Sequence, residues 1–302
     1  MPGSSFVRRL ALGAAVAGIV APAARRKLRL PPAATSVIAW QAPLATAVAL
    51  RRSRFRDAAV YAVQMWAYLT HYELPNDDPE ALVRRVHVRY PIAIDRAIGL
   101  GEVPTVRLQR ALGRSGEVRP HDTLLSAIHW SWFFAPHTTV AWILWRHPER
   151  FGRSAAQVAA VFDLGSGVYW FLPTAPPWWA GNTGELQHVR RIMTEAGERA
   201  WGRYWTGLYD SLSGNQLAAM PSLHFATSVM AAHVLQDVGP VPGAVGWAYA
   251  GALGFALVYL GEHYVADLLA GLGLAEGVRR AMPVAAPAGR AIAGFVRKWE
   301  PR

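Results

Sequence analysis

Two short segments bring together residue types that can do chemistry. In the first, Ala219-Met220-Pro221-Ser222-Leu223-His224-Phe225, a serine and a histidine follow a proline. Proline suits the first turn of a helix, where its missing N–H costs nothing. The free backbone N–H groups of such a turn form an anion site. His224, one turn in and with Ser222 beside it, is placed to exchange protons with an anion held there. In the second segment, Gly261-Glu262-His263-Tyr264-Val265-Ala266-Asp267, His263 and Asp267 stand four apart and share one helix face. A carboxylate that holds one imidazole nitrogen fixes the tautomer and raises the basicity of the other. That is how a base orients and activates a nucleophile. A helix-end histidine and a His–Asp pair can each be purely structural. Both lie in or beside apolar runs, where ionisable side chains are costly and mark function.

Those apolar runs are the elements that must position the two segments. A membrane-spanning helix needs about 20 mainly apolar residues. Residues 122–145, 154–172, 222–238 and 243–261 meet that requirement. Residues 263–278 are shorter but apolar apart from His263, Asp267 and Glu276, and 57–73 is a sixth run, rimmed by aromatics. The composition agrees: of 302 residues 52% are hydrophobic and only 17% charged, whereas average proteins carry about 25% charged residues. Such a chain is not disordered, and without cysteine it is not a disulfide scaffold.

Basic residues outnumber acidic ones 31 to 20, for a net charge of +11, and lysine occurs only at Lys27 and Lys298. The arginines flank the apolar runs, as at Arg51, Arg52, Arg54 and Arg56, at Arg146, Arg150 and Arg153, and at Arg279 and Arg280. This is the placement of cytoplasmic helix ends and not the basic stripe of a nucleic-acid-binding domain, so no nucleic-acid partner is expected. With six spans, both termini and the 146–153 loop share the Arg-rich cytoplasmic side. The 74–121 and 173–221 connections, and with them the chemistry, face the extracytoplasmic side.

The expected fold is therefore all-α: a polytopic membrane helical bundle with a six-helix catalytic core over 55–280. Residues 1–54 form an N-terminal segment in which 10–24 and 33–50 are apolar or amphipathic and read as interfacial or peripheral. Residues 281–302 form a basic tail. Arg- and Ala-rich usage is that of a GC-rich bacterial genome, which places the protein in a bacterial inner or plasma membrane. In the long 74–121 connection, Val83, Val86 and Tyr90 recur at helical spacing, and a loop of that length is usually functional. Trp178 and Trp179 read as interfacial anchors or the lining of a lipid portal. Asp122, beside His121, reads as a helix-end cap. His129 and His137, eight apart, either face the same cavity as His224, pack structurally or act as haem-like ligands.

In order and spacing the two segments resemble the type 2 phosphatidic acid phosphatase superfamily of membrane lipid phosphatases and phosphotransferases. That family's second motif is P-S-x-H, here Pro221-Ser222-Leu223-His224, and its third ends in H-x-x-x-D, here His263 to Asp267. The residues between the histidines, 225–262, hold two apolar runs as in the family. A-M-P-S-L-H with H-Y-x-x-D looks most like the inositol phosphorylceramide synthase and sphingomyelin synthase branch. Pro173-Thr174-Ala175-Pro176-Pro177 resembles the proline-rich segment before that branch's catalytic helix. The resemblance covers roughly residues 120–280.

The resemblance implies that His263 attacks phosphorus to form a phosphohistidine, that Asp267 orients it, and that His224 protonates the departing oxygen and then deprotonates the acceptor. It implies a membrane lipid phosphate as substrate, a polyol or lipid alcohol as acceptor, and no metal or other cofactor. Two features depart from the family: the first motif, K-x-x-x-x-x-x-R-P, is absent, and Leu257 stands where the third motif carries its Ser-Arg pair. The positive charge that grips phosphate must come from elsewhere. Arg190 and Arg191 are the nearest supply, with Ser222 and the helix-end amides, and Arg199 and Arg203 follow. Three readings stay open: lipid phosphotransferase, lipid phosphate phosphatase, and a lipid-binding or transport protein that uses the histidines as a proton relay.

Overall fold

A computed structural model describes residues 2–187, 189–202, 204–205, 207 and 214–299, with side chains from residue 6 onward. The described residues are α-helical, with a single short 3-10 turn and no β-strand, so the all-α class holds. Among the described residues two helices are long and apolar enough to cross a membrane, over Phe6–Ala23 and Pro240–Tyr259. The chain divides into two compact units, one of Met1–Leu74, Val140–Asp163 and Val278–Arg302, the other of Pro75–Thr139 and Leu164–Gly277.

In the first unit, α1 (Pro2–Ala23), α3 (Pro32–Ala49) and α4 (Arg54–Glu73) pack on one another, with the short α2 (Arg25–Leu28) between the first two in sequence. Helix α3 buries Ala39, Ala42 and Thr46 on one side. Helix α1 leaves Phe6, Leu10, Leu12, Val16 and Val20 exposed. Ser53 caps α4 by accepting the Arg56 N–H at 3.1 Å.

The second unit holds both chemical segments. The 74–121 connection folds into α5 (Pro79–Arg85), α6 (Arg89–Ile98) and α7 (Pro104–Leu112). The helical spacing of Val83, Val86 and Tyr90 is broken, because α5 ends at Arg85 and His87 leaves the helix to pair with another segment. His87 N–H donates to the Pro173 carbonyl at 2.8 Å and Ala175 N–H to the His87 carbonyl at 3.0 Å. Thr174 N–H donates to Leu217 and Ala219 N–H to Thr174, at 2.8 and 3.1 Å. The proline-rich segment is thus held between His87 and the approach to His224.

The apolar run 122–145 is not one helix. It divides into α8 (Pro120–Ser131) and α9 (Ala135–Arg146), because Pro136 has no N–H to continue the ladder and its ring clashes with the preceding turn. Asp122 caps α8 as expected, accepting the Arg119 N–H at 2.8 Å. Helix α10 (Pro148–Phe171) stops before Pro173.

After α11 (Pro177–Asn182) and α12 (Ile192–Trp201) come the three helices that carry the site: α13 (Leu223–Gln236), α14 (Pro240–Tyr259) and α15 (Val265–Trp299). Helix α14 is apolar on every side and packs against α13 and α8. Helix α15 runs on through Pro283 and Pro287, so the 281–302 tail is helical as far as Trp299.

Candidate active site

Helix α13 begins later than the proline suggests. Ser222 is its N-cap, its Oγ accepting the Phe225 N–H at 3.3 Å, and Pro221 lies one residue outside the helix instead of in its first turn. Such a cap contributes about 1 kcal/mol. The cap leaves His224 at the second helical position, with the Leu223 and His224 amides at the helix start. Tyr169 donates its hydroxyl to the Pro221 carbonyl at 2.6 Å, fixing the chain just before the cap.

The second segment turns sharply between α14 and α15. Gly261 has φ +83°, and a Cβ there would lie 2.6 Å from the Arg190 carbonyl, so only glycine fits both the angle and the space. The next residues lead into α15, where Asp267 Oδ2 accepts the Tyr264 N–H at 2.9 Å. Asp95, from α6, caps the same helix: its two carboxylate oxygens accept the Val265 and Ala266 N–H groups at 3.0 and 2.8 Å. Asp95 is fully buried, and burial pushes its carboxyl up to about 6 against those two hydrogen bonds, with the nearby Asp267 raising it further. Gln109, from α7, donates to the carbonyls of Arg190 and Tyr259, both at 2.9 Å. Its Oε1 accepts the Arg190 N–H at 2.8 Å. Nothing local in the sequence marks Asp95 or Gln109; their partners lie 81 to 171 positions away.

These elements bring His224, His263, Asp267 and Ser222 together. Asp267 Oδ2 lies 3.2 Å from His263 Nδ1, and His263 Nε2 lies 3.1 Å from His224 Nδ1. Asp267 is fully buried and His263 nearly so. With the carboxylate accepting from Nδ1–H, the Nε2 lone pair of His263 is directed at His224, which donates to it. The Ser222 N–H also donates to the Asp267 carbonyl at 3.0 Å, tying the start of α13 to the first turn of α15.

The arginines separate. Arg191 reaches Glu262, the neighbour of His263, with Nε at 3.0 Å and Nη2 at 3.4 Å from its carboxylate oxygens. Its guanidinium lies 3.9 Å from the centroid of the Trp178 ring. Trp178 is buried and its backbone N–H donates to the Gly261 carbonyl at 3.0 Å, bracing the turn. Arg190 is committed elsewhere, to the Glu195 carboxylate and to the carbonyls of Arg114 and Glu117. Arg199 donates to the Val118 carbonyl at 2.7 Å, and Arg203 lies outside the described residues.

His129 joins the cluster, its ring 5.0 Å from that of His224, and Trp132 approaches the same ring at 4.1 Å. His137 does not continue its face, because the break between α8 and α9 falls between the two histidines. Among the described residues no three histidine, aspartate or glutamate side chains group as metal ligands would.

The site is thus a carboxylate–imidazole–imidazole chain, Asp267 to His263 to His224, at the start of one helix and the turn into another in an all-helical protein. The model of the PAP2 superfamily matches residues 117–278, and the chain belongs to that superfamily, whose members are phosphatases and phosphotransferases. No curated protein and no solved structure matches the chain.

Proposed function

We propose that the protein is a polytopic membrane phosphotransferase that moves a phosphate-containing head group from a lipid through a phosphohistidine on His263. The observation that carries this reading is the Asp267–His263–His224 chain, with 3.2 and 3.1 Å links. Asp267 holds Nδ1–H, so Nε2 carries the lone pair. As a substrate phosphoryl group enters, it replaces the His224 contact at Nε2. Nε2 attacks phosphorus, the P–O bond breaks, and His224, entering this step as the imidazolium, gives one proton to the departing oxygen and is left neutral. His224 then takes the proton of the incoming hydroxyl, whose oxygen attacks phosphorus as the N–P bond breaks. Splitting one displacement into two is the gain of covalent catalysis. The Leu223 and His224 amides, Ser222 and the Arg191 guanidinium are the donors for the phosphoryl oxygens. A polyol or lipid alcohol resolves the intermediate in a transferase, and water in a phosphatase; the first half-reaction is the same.

In this reading the chain crosses the membrane six times, with α4, α8–α9, α10, α13, α14 and the first part of α15. Residues 1–54 serve as an anchor, and 55–280 form the catalytic domain. The active site faces the extracytoplasmic side of a bacterial inner membrane. Support for one-sidedness comes from the turn at Gly261–Ala266, where Asp95 and Gln109 of one long connection meet Trp178 and Arg191 of the other.

The test is turnover of a short-chain phosphatidic acid by purified protein in detergent, with and without an alcohol acceptor. Wild type is expected to release or transfer the phosphoryl group and His263→Ala to be inactive. Retention of more than about a tenth of the activity, a loss of only about 1.4 kcal/mol, rejects His263 as nucleophile. For sidedness, an impermeant thiol reagent on intact cells is expected to label Gln187→Cys and not Gly152→Cys. The reverse pattern puts the chemistry in the cytoplasm.

A further inference from the structure

His129 takes no part in the two displacements. Its side chain is buried, 2% exposed, and among the described residues neither Nδ1 nor Nε2 has a hydrogen-bond partner. A neutral imidazole carries one N–H donor and one lone pair, so both are left unmatched where buried polar groups are normally paired. The residue sits on the inward stripe of α8, with Asp122 and Ser126 at helical spacing before it. Asp122 is satisfied by the Arg119 N–H and the Tyr259 hydroxyl. Ser126 Oγ, like His129, is buried without a partner among the described residues. Two orphaned polar side chains one turn apart therefore face the same region, and a packing role alone would be filled better by apolar residues.

That region is the catalytic one. The His129 ring lies 5.0 Å from the His224 ring at an interplanar angle of 31°, and Glu262, His263 and Arg191 are all within its electrostatic reach. We propose that His129 is a further catalytic residue: a ring N–H donates to a non-bridging oxygen of the phosphoryl group during transfer. It would thereby supply part of the grip for which the sequence lacks the family's basic residues. The inference rests on the phosphoryl-transfer reading of His224, His263 and Asp267 and names one more group that touches the substrate.

The experiment uses the full chain purified in detergent. It measures orthovanadate binding by calorimetry, turnover of a short-chain phosphatidic acid, and thermal unfolding, for wild type, His129→Phe and His129→Gln. Phenylalanine keeps the ring and removes the donor; glutamine keeps an N–H. His129→Phe is expected to weaken vanadate at least tenfold and slow turnover about a hundredfold, the usual loss for one oxyanion donor. Its unfolding temperature is expected to stay level or rise, because the orphaned polar group is gone. His129→Gln is expected to recover part of both losses. If phenylalanine does not fit, His129→Ala is read in the same way. Wild-type vanadate affinity and turnover in His129→Phe, or in His129→Ala where that replaces it, would show that His129 only packs and would overturn the proposal. A wild type that binds no vanadate, with His263→Ala fully active, overturns the phosphoryl-transfer reading itself and the His129 role with it.

Discussion

Gly271 is where a single methyl group should separate the two halves of the site. On the first turns of α15 it faces the start of α13, and a Cβ added there would lie 2.7 Å from the Ser222 carbonyl oxygen and 3.4 Å from the Ala226 nitrogen. A carbon–oxygen contact settles at about 3.3 Å, so the helices must part locally by roughly half an ångström. Neither neighbour is the free end of a flexible side chain: both are backbone atoms of the turn that carries His224. The same turn is bonded to α15 through Ser222 N–H and the Asp267 carbonyl, at 3.0 Å. Gly271→Ala therefore strains that bond and lengthens the 3.1 Å contact between His224 and His263. Overpacking of this kind costs about 1–3 kcal/mol of stability, and misplacing reacting groups by about 1 Å costs around a hundredfold in rate. At half that displacement the expected loss in kcat is about tenfold, with KM changed by less than threefold and unfolding a few degrees lower. The assay is steady-state turnover of a short-chain phosphatidic acid alongside thermal unfolding in detergent. A Gly271→Ala protein with wild-type kcat would refute the claim that close packing of α15 on the α13 start sets the histidine geometry.

Asp267→Asn is expected to keep the fold but present the wrong tautomer of His263, lowering kcat on the order of 10⁴-fold; rapid-quench kinetics should show the loss in the first half-reaction. Arg191→Ala should weaken orthovanadate about tenfold in calorimetry. Arg190→Ala, removing a guanidinium already bound to Glu195 and two carbonyls, should lower the unfolding temperature and leave vanadate affinity unchanged. Asp95 gives a pH signature. Its carboxyl is raised to about 6 when folded, against 3.8, so the folded state binds more protons and the group's contribution to stability is full below about pH 4. That contribution falls as pH rises through about 6. The unfolding-temperature gap between wild type and Asp95→Asn should therefore be wider at pH 4.5 than at pH 7.5, and a gap that grows with pH would contradict the assignment.

The chemistry was legible where it is local. The nearness of Ser222 to His224 and the four-residue spacing of His263 and Asp267 need only a few neighbouring residues to be seen; that Ser222 caps the helix with Pro221 outside it was not legible, because the proline suggested an earlier start. The scaffold around them was not. Asp95 reaches Val265 across 170 positions, and Gln109 joins the carbonyls of two other segments; no local pattern distinguishes these from the other polar residues of a long connection. Pro136 was visible in the sequence, yet the apolar run on either side of it outweighed the break it imposes between α8 and α9. Arg190 and Arg191 are adjacent and chemically alike. Only the fold gives one to Glu195 and the other to Glu262 beside His263.

In the proposed reaction His263 becomes covalently phosphorylated. The most direct test is acid-free rapid quenching of the purified protein during turnover of phosphatidic acid radiolabelled in its phosphate, followed by peptide mapping. With no cysteine in the chain, a phosphocysteine cannot be mistaken for the product. An alkali-stable, acid-labile label is expected on the peptide containing His263 and is expected to be absent in His263→Ala. Turnover with no protein-bound label, or a label that persists in His263→Ala, would contradict it.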